Sequence, residues 1–450
     1  MKYDRLIQSH SLYGMFVAGV LAFCLDAVAQ APPAPNISSP EPPSDVEVPQ
    51  DFQGNPIDFF DDFSWRMFVA MVWPALDGQR GTPDPAKTVG EPGPRVFETF
   101  KALHELFHSD GTSPSSWNSF DLPQYNPCDI QAAFGDMTLG SFSKFSNLGQ
   151  ADFGSLVGPL IAQNGTYVRF LTTYNKIEFD QIVEQTLYRR PTPPKTFQVT
   201  FRNGAIDTKS AWMDMKDAKH PDRYYTRQAW VLDPVTGIPE KKLVGLVGLH
   251  IVVKTESRPQ WIWTTFEQMD NVPPLEAGND GAFGPKTSNF HDATQTAMPA
   301  KNPFTMDRVL QPPTAQPFNV DRLKPINSKT QETNKKYRAA LEETVWKNYQ
   351  LVATQWPLTP NAPSLPGTPE NTFPGSGATT AFANTTLESF DQKSIGTGCM
   401  KCHTATKDQT DFLWSLNDHA FPSDSGAPNL IMKNPAMRKL RDTLKSAAEK

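Results

Sequence analysis

Lys242-Leu243-Val244-Gly245-Leu246-Val247-Gly248-Leu249-His250-Ile251-Val252-Val253-Lys254 is a run of Val, Ile and Leu interrupted only by two glycines and one histidine before it closes on lysine. Successive side chains of a strand point to opposite faces. Strict alternation therefore places Leu246, Gly248, His250 and Val252 on one face, and Val247, Leu249, Ile251 and Val253 on the other. The stretch Asp233-Pro234-Val235-Thr236-Gly237 just before it reads as a hairpin-like turn, with Gln228–Leu232 as the partner strand. Lys195–Phe201 and Ala205–Met215 alternate upstream, Trp261–Phe266 follows downstream, and Tyr167–Leu171 adds another candidate strand. Spacings this short imply antiparallel neighbours.

Helical periodicity surrounds this sheet-like centre. Trp65, Phe68, Val69 and Val72 recur at three- and four-residue spacing and predict a helix with a buried stripe, ended at Pro74. Asn175–Tyr188 predicts another, with Ile177, Ile182, Val183 and Leu187 turned inward. Thr330–Gln355 predicts the longest, with Ser328 and Gln331 as its capping box and Tyr337, Leu341, Val345 and Val352 as its inner stripe. With 42 prolines and 27 glycines, the chain is expected to be an α+β protein: a loop-rich body with an antiparallel sheet and packed helices.

The chain is expected to divide into a signal peptide (1–29), a Pro-rich linker (30–50), the α+β body (51–356), a Pro/Gly-rich linker (357–380) and a C-terminal segment (381–450). Lys2 and Arg5 precede an apolar run from Leu12 to Leu25, and Ala27-Val28-Ala29 supplies small residues before Gln30, the pattern of a secretory signal. The apolar run is short for a bilayer span, so no transmembrane segment is expected after cleavage. The signal's charges cancel, leaving the net charge of −6 unchanged. That mildly acidic balance, with no basic patch, argues against a nucleic-acid partner. The linker at 30–50 is expected to be extended and exposed.

The C-terminal segment carries Gly398-Cys399-Met400-Lys401-Cys402-His403, the C-x-x-C-H pattern of covalent c-type haem attachment. Two thiols three residues apart can each add to one haem vinyl group, and the adjacent imidazole can then supply the proximal iron ligand. Cys399 and Cys402 are the expected thioether positions and His403 the expected iron ligand. Three other chemistries compete for these residues. A zinc site needs four ligands, and only Cys128 and His419 could complete it. A thioredoxin-like pair would open a helix after a strand, whereas a Ser-Ile-Gly-Thr-Gly loop precedes this one. A plain disulfide suits an oxidising compartment. Haem is preferred, and export agrees with it, because bacteria attach haem covalently outside the cytoplasm. The segment is short for a self-contained cytochrome, so the haem is expected between it and the body. The sixth iron ligand is left open, with His291, Met298, Met306, His419, Met432 and Met437 as candidates.

His104-Glu105-Leu106-Phe107-His108 matches H-E-x-x-H, which on a helix presents two histidines for zinc with the glutamate as general base, the distant alternative being a zinc metalloprotease. A longer metzincin pattern fails at Pro114. The plainer reading is a helix burying Phe97, Phe100, His104 and Phe107, with Glu98, Lys101 and Glu105 salt-linked on its outer face. Cys128 is expected to be buried and inert. His250 is read as a satisfied core histidine, although Gly248 beside it would leave room for a flat ring. Trp261 and Trp263 are read as core, with an electron path as the alternative.

Ser64-Trp65-Arg66-Met67-Phe68-Val69-Ala70 with Trp73-Pro74, Trp263-Thr264-Thr265-Phe266-Glu267 with Asp270-Asn271-Val272-Pro273, Thr354-Gln355-Trp356-Pro357, and Ala383–Phe390 leading into Cys399–His403 carry a resemblance. On these blocks, which span most of the mature chain, it resembles the large exported bacterial cytochrome c family with one haem motif near the C-terminus. The resemblance implies haem binding and electron transfer at Cys399, Cys402 and His403, and no zinc motif. It names no substrate. A filled sixth iron position implies an electron carrier with a redox partner; an open one implies a peroxidase-like haem oxidoreductase.

Overall fold

The structure is a computed structural model, and it describes residues 34–140, 160–191, 197–232, 238–274, 288–294, 317, 319–361, 377–378, 382–389, 392, 398–404 and 409–422. The expected signal peptide, the 233–237 turn, most of the 357–380 linker, and Met298, Met306, Met432 and Met437 lie outside these residues.

The fold is α+β, and one eight-stranded sheet organises it. Its strands are β1 (Lys101–Ala102), β2 (Thr138–Leu139), β3 (Arg169–Tyr174), β4 (Ile206–Asp214), β5 (Thr226–Leu232), β6 (Pro239–Val253), β7 (Ile262–Gln268) and β8 (Tyr349–Gln355). Every pairing is antiparallel except β2 with β5. The quoted run is β6, the hub. Its first half pairs with β5 and its second half with β7, while β4 runs along its opposite edge.

Strict alternation fails within β6. Trp212 pairs with Leu246 but Ala211 pairs with Gly248, so Val247 is an extra residue on β6. The Trp212 indole donates to Ser210 Oγ at 2.8 Å, so the two residues share a face. Their partners Leu246 and Leu249 must then share that face too, despite their odd spacing. The bulge re-phases the strand and separates Leu246 from Gly248, His250 and Val252, an effect to which simple periodicity is blind.

One face of the sheet is covered by helices α1 (Ile57–Met71) and α4 (Ser328–Ala340). In α1 the buried Ser64 Oγ lies 2.8 Å from both Thr264 and Thr354 hydroxyls, and Asp61 accepts from Thr354 and Thr330 at 2.7 Å. Trp65 stacks on Tyr337 of α4 and donates to Asn334 at 3.0 Å. The expected helix through Gln355 is shorter. It ends at Ala340, and Tyr349–Gln355 forms β8 instead. A strand there pairs with β7 along its whole length, a tertiary gain that outweighs local propensity. Its N-cap is Asn327, one residue before the expected Ser328.

The remaining helices are short. Helix α2 spans only Leu103–Leu106, α3 spans Lys176–Glu184, α5 spans Gly398–His403 and α6 spans Trp414–His419. In α3, Ile182 is buried as expected, but Ile177 is exposed. Residues 34–50 form no helix or strand, yet they are docked as well as extended. Asp45 accepts from the Ser257 amide and hydroxyl at 2.8 and 2.6 Å, and Val46 and Val48 pack against the core. No helix among the described residues is long and apolar enough to cross a membrane.

Candidate functional site

The second face of the sheet carries the described residues of the C-terminal segment. A register row crosses five strands on this face: Tyr174 opposite Asp207, Asp207 opposite Val252, Val252 opposite Trp263, and Trp263 opposite Gln355. Directly paired residues point the same way, so all five side chains face the segment. The 384–389 loop lies over the neighbouring row. There Asn384 donates to Thr265 at 2.9 Å, the Thr385 hydroxyl donates to Glu267 at 2.9 Å, and Glu388 lies 3.2 Å from His250 Nε2.

Helix α5 lands on the last strands of the row. The Met400 amide donates to Gln355 Oε1 at 2.8 Å, Met400 is buried, and Lys401 points outward. Gly398 starts the helix at φ +68°, in the left-handed region that glycine tolerates best. Positions i, i+3 and i+4 share one helix face, so Cys399, Cys402 and His403 project from α5 together. Each is partly buried, and the two cysteines are thiols.

His403 is oriented from two sides. Its ring centroid lies 4.3 Å from that of Trp263, and its Nδ1 lies 2.7 Å from the Phe412 carbonyl. A carbonyl can only accept, so Nδ1 carries the proton, and in the neutral ring Nε2 bears the lone pair. This hydrogen bond fixes the tautomer that a metal-ligating histidine requires. The carbonyl is held by strained backbone: Asp411 and Phe412 are consecutive residues at φ +52° and +71°, a conformation bulky side chains rarely adopt. The Asp411 carbonyl accepts from the Trp261 indole at 3.0 Å, and Trp261 is itself at φ +71°. The Asp411 carboxylate accepts from Lys254 at 2.7 Å and from the Phe201 amide at 2.8 Å. Burial pushes the Asp411 carboxyl up despite the opposing Lys254 ammonium.

These residues fit a covalently attached haem: two thiols and an imidazole share one helix face, and the imidazole is locked in its ligating tautomer. Among the described residues, no group of three or more His, Cys, Asp or Glu is arranged to hold a metal ion.

His104 and His108 do not share a helix, because α2 ends at Leu106. His108 instead bridges Thr112 at 2.8 Å and Asp121 at 2.9 Å, while Glu105 binds Arg80 at 2.6 Å. Burial holds the His104 imidazole below its ordinary range. The expected link of Glu105 to Lys101 exists at 3.6 Å, but both residues are buried rather than on an outer face. His250 is a buried histidine beside Glu388, and the space above Gly248 is filled by Thr386. His291 pairs with Asp321 at 2.8 Å. Burial, reinforced by Lys209, pulls the His419 imidazole down to about 4. Cys128 is buried, its thiol pushed up to about 12 by desolvation. Trp261 and Trp263 are both core residues, and both touch the site. Sequence reasoning missed Phe412 and Gln355, whose roles rest on a backbone carbonyl and a side-chain amide that no motif encodes.

No protein-family model, no curated protein and no solved structure matches this chain.

Proposed function

We propose that the protein is an exported monohaem c-type cytochrome that binds haem through Cys399 and Cys402, with His403 as the proximal ligand, and transfers electrons to or from a redox partner. The observation that carries this reading is the 2.7 Å hydrogen bond from His403 Nδ1 to the Phe412 carbonyl, which makes Nε2 the ring nitrogen that can ligate iron in the neutral imidazole. The resemblance to the exported cytochrome c family points the same way. Bound there, haem would supply a one-electron couple whose potential depends on axial ligation and burial. This chain's own part is to hold the imidazole by Phe412 and Trp263, and to shield one side of α5 with the sheet.

The test is expression with export and haem maturation, followed by haem staining of a denaturing gel. A stained band that is lost in Cys399→Ala/Cys402→Ala supports the reading, and a colourless protein overturns it. Carbon monoxide added to the reduced protein then separates the two haem functions. A spectrum left unchanged supports the electron carrier. Rapid binding marks an open sixth position and a peroxidase-like oxidoreductase.

A further inference from the structure

At the far end of the register row lies a pair of carboxyl groups that no part of the haem reading uses. Glu178 is the third residue of α3, where a carboxylate commonly turns back to cap the N-cap amide. That amide, of Asn175, is already committed to the Ile206 carbonyl at 3.0 Å. Glu178 turns inward instead. It is wholly buried, and neither of its side-chain oxygens has a hydrogen-bond partner among the described residues. Asp207 in β4 is its electrostatic neighbour, and Asp207 Oδ1 is likewise buried without a partner. Burial of an unpaired carboxylate is costly, and two adjacent ones cannot both ionise readily, so such a pair retains a proton. Burial raises both carboxyls, that of Asp207 to about 7, with Lys209 opposing.

We propose that Glu178 and Asp207 form a shared proton site whose affinity for its proton rises when an electron enters the haem held by Cys399, Cys402 and His403; this rests on the haem reading above. One electron arrives from a one-electron donor, and near neutrality a proton from solvent joins a carboxylate oxygen in part of the molecules, so the added negative charge is partly offset. Two connections couple the ends. Asp207 and Trp263 are separated only by Val252 in the row, about 10 Å at ordinary strand spacing, and Trp263 touches His403. Glu178 also feels the charge of Asp411, whose neighbour Phe412 holds His403. The remaining ionisable groups around the pair have other roles. Lys254 is paired with Asp411, the Tyr174 phenol is pushed far up by burial, Lys209 is cationic, and His419 titrates well below neutrality.

A single charge roughly 10–15 Å away, with an effective dielectric constant near 20, changes an equilibrium on the order of tenfold. The test is a redox titration with mediator dyes on the full-length haem-loaded protein between about pH 5 and 9, a span that brackets the neutral range. The midpoint potential is expected to fall as pH rises through neutrality by about tenfold in the reduction equilibrium, which is about 59 mV for a one-electron couple. Glu178→Gln and Asp207→Asn, each close in shape, should flatten that fall and hold the potential at its acid-side value. A flat wild-type profile, or a fall unchanged in both folded variants, overturns the proposal. Infrared spectra of the Cys399→Ala/Cys402→Ala protein provide the second arm. A protonated-carboxyl band at neutral pH, lost in either carboxyl variant, is expected, and its absence overturns the shared proton itself. If the wild type carries no haem, the haem reading fails and the coupling with it, while the infrared arm still reports on the proton pair.

Discussion

Gly398→Ala tests whether the helix bearing the two cysteines is docked as described. Gly398 lies at φ +68°, and a Cβ there would stand 2.5 Å from Cζ of Phe382 and 3.0 Å from Nε2 of Gln355. Left-handed backbone costs a residue with a Cβ about 1–2 kcal/mol. Forcing a methyl into packed side chains adds about 1–3 kcal/mol. The sum, about 2–5 kcal/mol, falls on the contact between α5 and β8 and not on the whole fold. The assay is hydrogen exchange at the Met400 amide, whose bond to Gln355 Oε1 exists only while α5 is docked. At about 1.4 kcal/mol per tenfold, its exchange should accelerate by roughly 30-fold to a few thousand-fold, with haem attachment falling in parallel. Adding Phe382→Ala should relieve the steric part and leave the backbone part. Unchanged Met400 exchange in Gly398→Ala would refute the docking geometry.

Lys254→Met leaves the buried Asp411 carboxylate without its ammonium partner and should destabilise by about 3–5 kcal/mol, read as a lowered denaturant midpoint. Ser64→Ala removes the hydroxyl that joins Thr264 and Thr354 and should cost about 1–3 kcal/mol by the same measurement. Asp207 has a folded-state carboxyl raised to about 7 from an ordinary value near 4, so the folded state holds the extra proton; the stability this contributes is present at low pH and lost as pH rises through about 7. His419 and His104 are shifted down and act with the opposite sign, so the comparison is differential. The stability of Asp207→Asn relative to wild type should rise steadily between about pH 4 and 7, and a constant difference would count against the assignment.

The sequence was most legible where one signal dominated. The aromatic stripe of α1 and the strands β4 to β7 follow from spacing, because their apolar residues recur in runs bounded by polar or Pro/Gly-rich stretches. Legibility failed where tertiary pairing decided. Tyr349–Gln355 has a sequence compatible with the helix that precedes it, and only the open edge of β7 selects a strand. The Val247 bulge is similarly invisible, since every residue around it is apolar or glycine and either phase looks plausible. Lys101 and Glu105 at helical spacing suggested a surface pair, but buried Arg80, distant in sequence, draws Glu105 inward. At the candidate site, the motif singled out Cys399, Cys402 and His403, which the structure places on one helix face. It was silent about Phe412 and Gln355, because a carbonyl lent by strained backbone and an amide reaching from another strand carry no local pattern.

That asymmetry bears on why so large a body accompanies so short a motif. A six-residue helix has too few internal hydrogen bonds to persist alone. Its order must come from β8, from Phe382 and from the Asp411–Phe412 turn. That turn is strained and must in turn be held, by Lys254, the Phe201 amide and the Trp261 indole, which belong to three separate stretches of the body. The described residues between 382 and 422 therefore inherit their geometry from the sheet rather than supplying their own. The consequence is specific: excised residues 357–450 should lose the His403–Phe412 bond, and the imidazole Nδ1 proton with it should exchange freely with water. A stable, slowly exchanging Nδ1 proton in the excised segment would mean that the motif builds its own scaffold, and that the body exists for another purpose.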